Sequence, residues 1–453
     1  FNLELMKKNL LVVEINESDF DYFLYGSKKY NYSAIKKFFL SKEKLKTFTN
    51  DNFEGFNLDP WVQWVSVHTG KLSKDHKIYR LGQTLNKTNE QIWDKLSKRK
   101  ITSTIWGAFN STLNSKKNID LFFPDPWSFK ESAFPKNFNN FLKLPRYYAQ
   151  NYPSIDKFKA TYYGLILLYK IFFSKSFFYL FKNSFQLLKI FLLSGLKTFN
   201  LYFFLDLISL LTIKSNLKKN KSDFTIIALN SFAHYQHNYW NDKRCEHIYF
   251  WYLNKIIKII DEISKSYNST IIFNGFSQKK IKNEYHLRPR NPKKFLKKVN
   301  LDYLSIEPNM TTGAIISFKS IKDKNKAIKK LKSLNIYDYP IFEIQNYKNK
   351  KKIFYKFSLV SKKEKYYSVS LKKNNYKKFF KKPLKIFNSN KISDKNKKII
   401  ENILTDSIFM KSTSRHISTG KLFYKNFNFM KKDIIGSKIH NIKIFNSILE
   451  HFK

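Results

Sequence analysis

Nine histidines are spread along the 453 residues, and several of them fall in polar clusters directly behind apolar runs. His234 and His237, three residues apart, follow the run at 224–229; Asn16 and Glu17 follow the run at 10–15; His416 lies far downstream. Glu14, Asp59 and His68 complete the set. Three histidines with one carboxylate can hold a single Zn²⁺, and a site using only three of these groups leaves a position open for water. The competing reading is structural, with His68 a partly buried ring and His234 and His237 hydrogen-bonding within their own turn. A different chemistry is offered by Tyr285-His286-Leu287-Arg288-Pro289-Arg290. Arg288 and Arg290 are two of only seven arginines, and the guanidinium group suits a bidentate grip on phosphate, sulfate or carboxylate. A surface ion-pair loop is the alternative there.

Such groups converge only if a rigid edge presents them. The β-branched apolar runs 10–15, 224–229 and 270–273 read as strands of a parallel sheet. Each is followed at once by polar residues: Asn16-Glu17-Ser18-Asp19, the stretch 230–237, and Asn274-Gly275. In open α/β sheets functional groups collect at the carboxyl ends of strands. Helical patterns at 89–99 and 245–264 alternate with these runs, and 75–105 reads as one such unit ending in a strand at 102–107. The Lys-dense stretch 346–398 has alternating segments at 353–360 and 366–371, expected as antiparallel strands, and 322–334 reads as a surface helix. No repeat and no long linker divides the chain. The expectation is one α/β domain over 1–453, with a helical insertion at 153–220 and a subdomain with antiparallel strands at 300–398.

The formal charge of +50 would ordinarily point to nucleic acid. Yet only seven of the 84 basic residues are arginine, and no zinc-finger, RNP or basic-heptad spacing is present. The sequence therefore argues against a nucleic-acid partner, and a basic ribosomal subunit would explain the charge but not the order of the motifs. Cys245 stands alone, which excludes an intrachain disulfide framework and a multi-cysteine zinc site and suits a reducing, cytoplasmic compartment. The apolar start at 9–13 meets Glu14 too soon for a secretory segment and reads as a buried strand. Lysines and Asp206 interrupt 162–213 before any run reaches the roughly 18 residues a membrane span needs. A packed helical insertion is the first expectation there, and peripheral contact with a membrane surface is the alternative.

The most informative stretch is Asp59-Pro60-Trp61-Val62-Gln63-Trp64-Val65-Ser66-Val67-His68-Thr69-Gly70, followed by His76-Lys77-Ile78 and Arg80-Leu81-Gly82. By itself it is an aromatic segment, a buried strand or helix start, that ends in a Thr-Gly turn. Its spacing resembles the nucleotide pyrophosphatase/phosphodiesterase and sulfatase-like branch of the alkaline phosphatase superfamily, and its wording a bacterial subgroup associated with polysaccharide or envelope gene clusters. Other anchors keep the same order over nearly the whole chain. Val12-Val13-Glu14-Ile15-Asn16-Glu17 resembles the first strand, with Asn16 where a metal-binding Asp would stand. The stretch 230–240 is similar to a segment carrying a His ligand, for which His234 and His237 both qualify. Thr270-Ile271-Ile272-Phe273-Asn274-Gly275 resembles a strand that normally ends Asp-His-Gly. Thr413-Ser414-Arg415-His416-Ile417-Ser418-Thr419-Gly420 resembles the loop bearing the last metal-binding His, and 441–449 the closing helix.

The resemblance implies an alkaline-phosphatase-like fold with a mostly parallel central sheet flanked by helices, and metal-assisted hydrolysis or transfer of a phosphate or sulfate ester of a small molecule or glycan. It places Asn16, Glu17, His234 or His237, and His416 at the metal. The family's hydroxyl nucleophile falls near Asp59, with Ser66 and Thr69 as hydroxyl candidates nearby. The departures matter chemically. Two divalent ions about 4 Å apart need more carboxylates and imidazoles than this chain offers, because Asn brings no charge and Phe273 cannot ligate. One divalent ion at most, with Zn²⁺ as the candidate, is therefore expected; the alternative is a degenerate member that binds a sugar or anion in the same crevice.

Overall fold

A computed structural model describes residues 8–51, 58–83, 85–86, 88–151, 155–174, 176–194, 197–289, 291–308, 313–336, 339–340, 342–346, 350–357, 360–361 and 407–453. The segment expected as a strand at 366–371 lies outside them. The chain divides into two compact units, Phe1–Lys280 with Arg415–Lys453, and Ile281–Ser414.

The first unit is built on a nine-stranded sheet. Its centre is β1 (Leu10–Ile15), apolar at every position but Glu14 and buried throughout, as a parallel strand covered on both faces must be. In chain order β2 (Glu43–Phe48), β3 (Ser103–Trp106), β4 (Ile119–Phe123), β5 (Phe224–Leu229) and β6 (Ser269–Phe273) follow, and Thr419–Lys425, Ile434–Ile435 and Lys438–His440 complete the sheet. β1 lies between β5 and β6, parallel to both, with Leu10 opposite Phe224 and Ser269. β3 and β4 continue the parallel block beyond β5. Thr419–Lys425 runs antiparallel between β6 and β2. This is a mixed α/β architecture with a mostly parallel central sheet.

The helices of this unit follow in the order α1 (Phe20–Lys29), α2 (Ser33–Leu40), α3 (Pro60–Thr69), α4 (Ser73–His76), α5 (Ile92–Lys98), α6 (Asn139–Asn151), α7 (Lys157–Phe172), α8 (Ser176–Lys182), α9 (Ser184–Ser194), α10 (Thr198–Leu217), α11 (Ser231–Tyr239) and α12 (Lys243–Ser264). The ambiguous aromatic stretch at 59–70 is α3, buried on every side. Pro60 sits in its first turn, where the ring's fixed φ suits the helix and no N–H is missed. Gly70 closes it at φ 65°, and a Cβ there would come within 2.7 Å of the Phe445 ring, so both conformation and space call for glycine. Two apolar layers result. One holds α1, α2, α10 and α12 against Leu11, Val13 and Ile15 of β1; the other holds α3, α5 and the closing helix Lys443–His451 against Leu10 and Val12.

The insertion between β4 and β5 is helical, α6 to α10. No helix among the described residues is long and apolar enough to cross a membrane.

The second unit has antiparallel sheets. Phe342–Asn346, Lys352–Phe357, Gly313–Ser317 and Ser305–Pro308 form one of four strands. The helices Pro292–Lys298 and Ile321–Lys332 cover it around Phe295, Leu296, Leu331 and Tyr355. The strands Ser277–Pro289 and Ser407–Ile417 run into and out of this unit. Thr413 to Ile417, expected in a loop, is the end of that second long strand.

Candidate metal centre

Three side chains meet at the carboxyl end of β1. Glu17 comes from the turn that follows the strand, His237 from the last turn of α11 and His416 from the end of Ser407–Ile417. One ligand atom from each lies within 4.8 Å of the other two. His237 Nε2 is 3.0 Å from Glu17 Oε2 and 3.3 Å from His416 Nε2, and His416 Nε2 also pairs with Glu17 Oε2. Glu17 is buried, while both rings keep a partly exposed edge. Glu17 adopts φ 45°, a left-handed conformation that costs a residue with a Cβ about 1 kcal/mol. Backbone bonds hold it there, with Glu17 N–H donating to Asn274 O (3.0 Å) and Ser18 N–H to Ile15 O (3.3 Å).

A second ring of groups orients the first. Trp64 Nε1–H donates to Asn16 Oδ1 (2.6 Å), which turns the Asn16 amide nitrogen toward Glu17 Oε1 (2.8 Å) and Asn230 Oδ1 (2.7 Å). Indole only donates, so the Asn16 oxygen must face it. Asn230 Nδ2 in turn donates to His234 Nε2 (3.2 Å), and the His234 ring stacks on Tyr202 with centroids 4.0 Å apart. Burial, with His237 adding to it, pulls the His234 pKa down to about 4 and keeps the ring neutral. The structure thus brings Glu17, His237 and His416 together, and sets Asn16 and His234 behind them as supports.

Gln278 was not singled out by sequence. It is fully buried and its Nε2 donates to Glu17 Oε2 (3.2 Å) and to His237 Nε2 (3.2 Å). A glutamine at the start of the strand Ser277–Pro289 carries no spacing signal; only its position four residues beyond Asn274 could have drawn notice.

The electrostatics fit a cation position. Burial pushes the Glu17 carboxyl up, but His416 and His237 outweigh it and hold it well below the usual carboxylate range. Burial pulls His416 down, yet the Glu17 carboxylate, with Asp59 and a bond to the Leu58 carbonyl, raises it above an ordinary imidazole. Two imidazole nitrogens facing one carboxylate oxygen favour positive charge among them. Ligand atoms bound to tetrahedral zinc stand about 3.3 Å from one another, close to the spacing of the two rings. The donor set of two neutral imidazoles and one carboxylate is that of an open zinc site.

The remaining candidates are placed elsewhere. Asp59 caps the N-terminus of α3, half-buried, and its charge reaches His416. Ser66 Oγ is buried and donates to Asp51 Oδ2 (2.6 Å), with His76 Nε2 at 3.0 Å. Thr69 Oγ1 donates to Val65 O one turn back (2.7 Å). Neither hydroxyl joins the three ligands. Glu14 and His68 bond each other at 2.7 Å in the interface between β1 and α3. Phe273 packs edge-on to Trp64, and Asn274 ties Ser18 O to Lys421 N–H. Where a second ion would need ligands, this strand end supplies packing and backbone ties. Arg290 lies outside the described residues, and of Arg288 the backbone alone is described, in Ser277–Pro289.

No protein-family model matches the chain, and no curated protein matches it. Solved structures do. The chain is similar to murine ectonucleotide pyrophosphatase/phosphodiesterase 5, at 8% identity over 98% of this chain and 94% of that one, with a TM-score of 0.41. It is similar to phosphonoacetate hydrolase from Sinorhizobium meliloti in complex with phosphonoacetate, at 8% identity over 98% and 96%, with a TM-score of 0.40. It is also similar to alkaline phosphatase from the Antarctic bacterium TAB5, at 11% identity over 98% of both chains, with a TM-score of 0.36.

Proposed function

We propose that the chain hydrolyses or transfers a phosphate or sulfate ester with the help of one divalent ion, zinc by its donor set, held by Glu17, His237 and His416. The observation that carries this reading is the convergence of one oxygen and two imidazole nitrogens at a strand end, within 4.8 Å of one another. A bound divalent ion would supply positive charge for the ester oxygens. Glu17 offsets part of that charge and keeps the position selective for cations. Asn16 and Gln278 hold the Glu17 carboxylate in place, and the Leu58 carbonyl fixes the His416 ring so that Nε2 faces inward. With Ser66 and Thr69 engaged elsewhere, the attacking group in this reading is water, and Asp59, whose charge reaches His416, is the carboxylate proposed to take its proton. Envelope glycans are the substrate class suggested by the resemblance.

A second reading is a chain that binds an anionic sugar or ester without turning it over, favoured by the same engagement of both hydroxyls. Zinc titration of the purified chain, followed by assay with bis(p-nitrophenyl) phosphate and p-nitrophenyl sulfate, separates the two. Stoichiometric zinc with turnover lost in His416→Ala supports the hydrolase. Stoichiometric zinc without turnover of either ester supports the binding protein. Absence of stoichiometric binding of any divalent transition metal sinks the centre itself.

A further inference from the structure

The metal cluster makes no use of a large surface on the helical insertion. On α7, Leu167 and Ile171 pack beside Leu144 of α6 and Ile208 of α10, with Tyr163 on the same face. A second apolar stripe runs along the opposite face. Phe158, Tyr162, Leu165, Tyr169 and Phe172 advance by four, three, four and three residues, the rhythm that keeps side chains in line on a helix. All five are exposed, Phe158 at 90%. α9 repeats the arrangement, burying Leu187 and Ile190 while Phe185, Leu188 and Leu192 face outward, and α8 adds Phe178 and Phe181. Of 19 large apolar side chains exposed among the described residues, 13 lie between positions 158 and 193. Soluble monomers expose such side chains singly; a concentration like this marks a surface that something covers.

Charge decides what covers it. Between 157 and 205 the sequence contains seven lysines and no acidic residue. A second copy of the chain would bring two such basic faces together. An anionic lipid surface would take both components, with aromatic and leucine side chains at the boundary between headgroups and acyl chains and lysines among the phosphates. We propose that α7, α8 and α9 form a docking surface for an anionic lipid bilayer, lying on it and not crossing it. This holds whatever reaction the metal centre performs.

The test uses the full chain with vesicles of phosphatidylcholine alone or mixed with phosphatidylglycerol. Cosedimentation should favour the anionic vesicles by at least about tenfold and weaken as salt is raised. The pairs Phe158→Ser with Phe185→Ser, and Lys182→Glu with Lys189→Glu, should each lower that partition about tenfold or more. All four positions are exposed in the folded chain, and an unchanged urea midpoint verifies that folding is intact. Depth gives a second readout. A Phe178→Cys variant labelled with an environment-sensitive dye should shift to the blue on anionic vesicles, Cys245 being buried and protected. Equal partition of wild-type chain onto neutral and anionic vesicles with no blue shift overturns the proposal. So does a concentration-dependent dimer, dissolved by the two serine substitutions, that takes up no vesicles.

Discussion

Glu17, His237 and His416 turn their ligand atoms toward one shared point, whereas Asp51, Ser66 and His76 turn theirs toward one another. In the second cluster Ile78 N–H donates to His76 Nδ1 (3.0 Å), which leaves the ring proton on Nε2 facing Ser66 Oγ. Ser66 passes its own proton toward Asp51, and Asp51 also accepts from Ser73 N–H (2.8 and 2.9 Å) and Ser73 Oγ–H (2.6 Å). Serine, histidine and aspartate are all present, but histidine does not receive the serine proton and aspartate does not hold the histidine. All three are sealed from solvent. The first cluster leaves both imidazole edges partly open to solvent. Residue type is common to both, and chemistry depends on which lone pairs remain available at an accessible place.

The comparison can be broken most directly at the ligands. Replacing His416 or His237 by Ala, or Glu17 by Gln, should weaken zinc binding on the order of 100-fold or more by chelator competition, whereas Ser66→Ala should leave it unchanged. Retention of zinc affinity in two of the three ligand variants would remove the distinction drawn here.

Next in size is the response of the sealed cluster to acid. Burial, partly countered by Asp51, lowers the His76 pKa to about 4 from 6.5. The unfolded chain therefore takes up this proton first as pH falls. Stability from this group is complete above pH 6.5, declines between 6.5 and about 4, and levels off below, a loss of about 3 kcal/mol. Urea unfolding of wild type and His76→Gln across that window should show a flatter dependence in the variant.

Ser66→Ala should cost about 1 to 3 kcal/mol in the same unfolding assay, since it removes one bond to the buried Asp51 carboxylate and strands the His76 imidazole N–H. The smallest effect expected is for Gln278→Leu, which removes a support and no ligand: about tenfold in zinc affinity, with binding retained at higher concentration. If Gln278→Leu costs as much as His416→Ala, Gln278 belongs to the ligand set and the division into ligands and supports is wrong.

The parallel strands were legible because β1 and β5 are buried on both faces and read as apolar runs broken only by Glu14 and Thr225; their bounds in the structure are those of the sequence runs, 10–15 and 224–229. α3 was ambiguous for the same reason. A helix buried on all sides has no polar face to set its period, so Trp61, Trp64 and Val65 fit a strand as well as a helix. His234 and His237 could not be separated by sequence because both stand on α11; what separates them is direction, His237 toward Glu17 and His234 toward Asn230 and Tyr202. Gln278 and the Trp64 bond to Asn16 stayed hidden, being contacts between residues far apart in the chain with no pattern of their own. Asn16 itself drew attention by position, and its amide orientation depends on a neighbour 48 residues away.

α10 starts at Thr198, just past the helices with exposed apolar stripes, and continues for 20 residues, about 30 Å of rigid rod. Within its first three turns it delivers Tyr202 to the face of His234 and the Asp206 carboxylate to the N–H groups of Asn230 and Ser231 that open α11 (3.2 and 3.0 Å). The helix that carries His237 is thereby seated on the same rod that emerges from the insertion. If the vesicle experiment finds α7 to α9 resting on a bilayer, α10 would carry that orientation to the seat of α11 and so to His237.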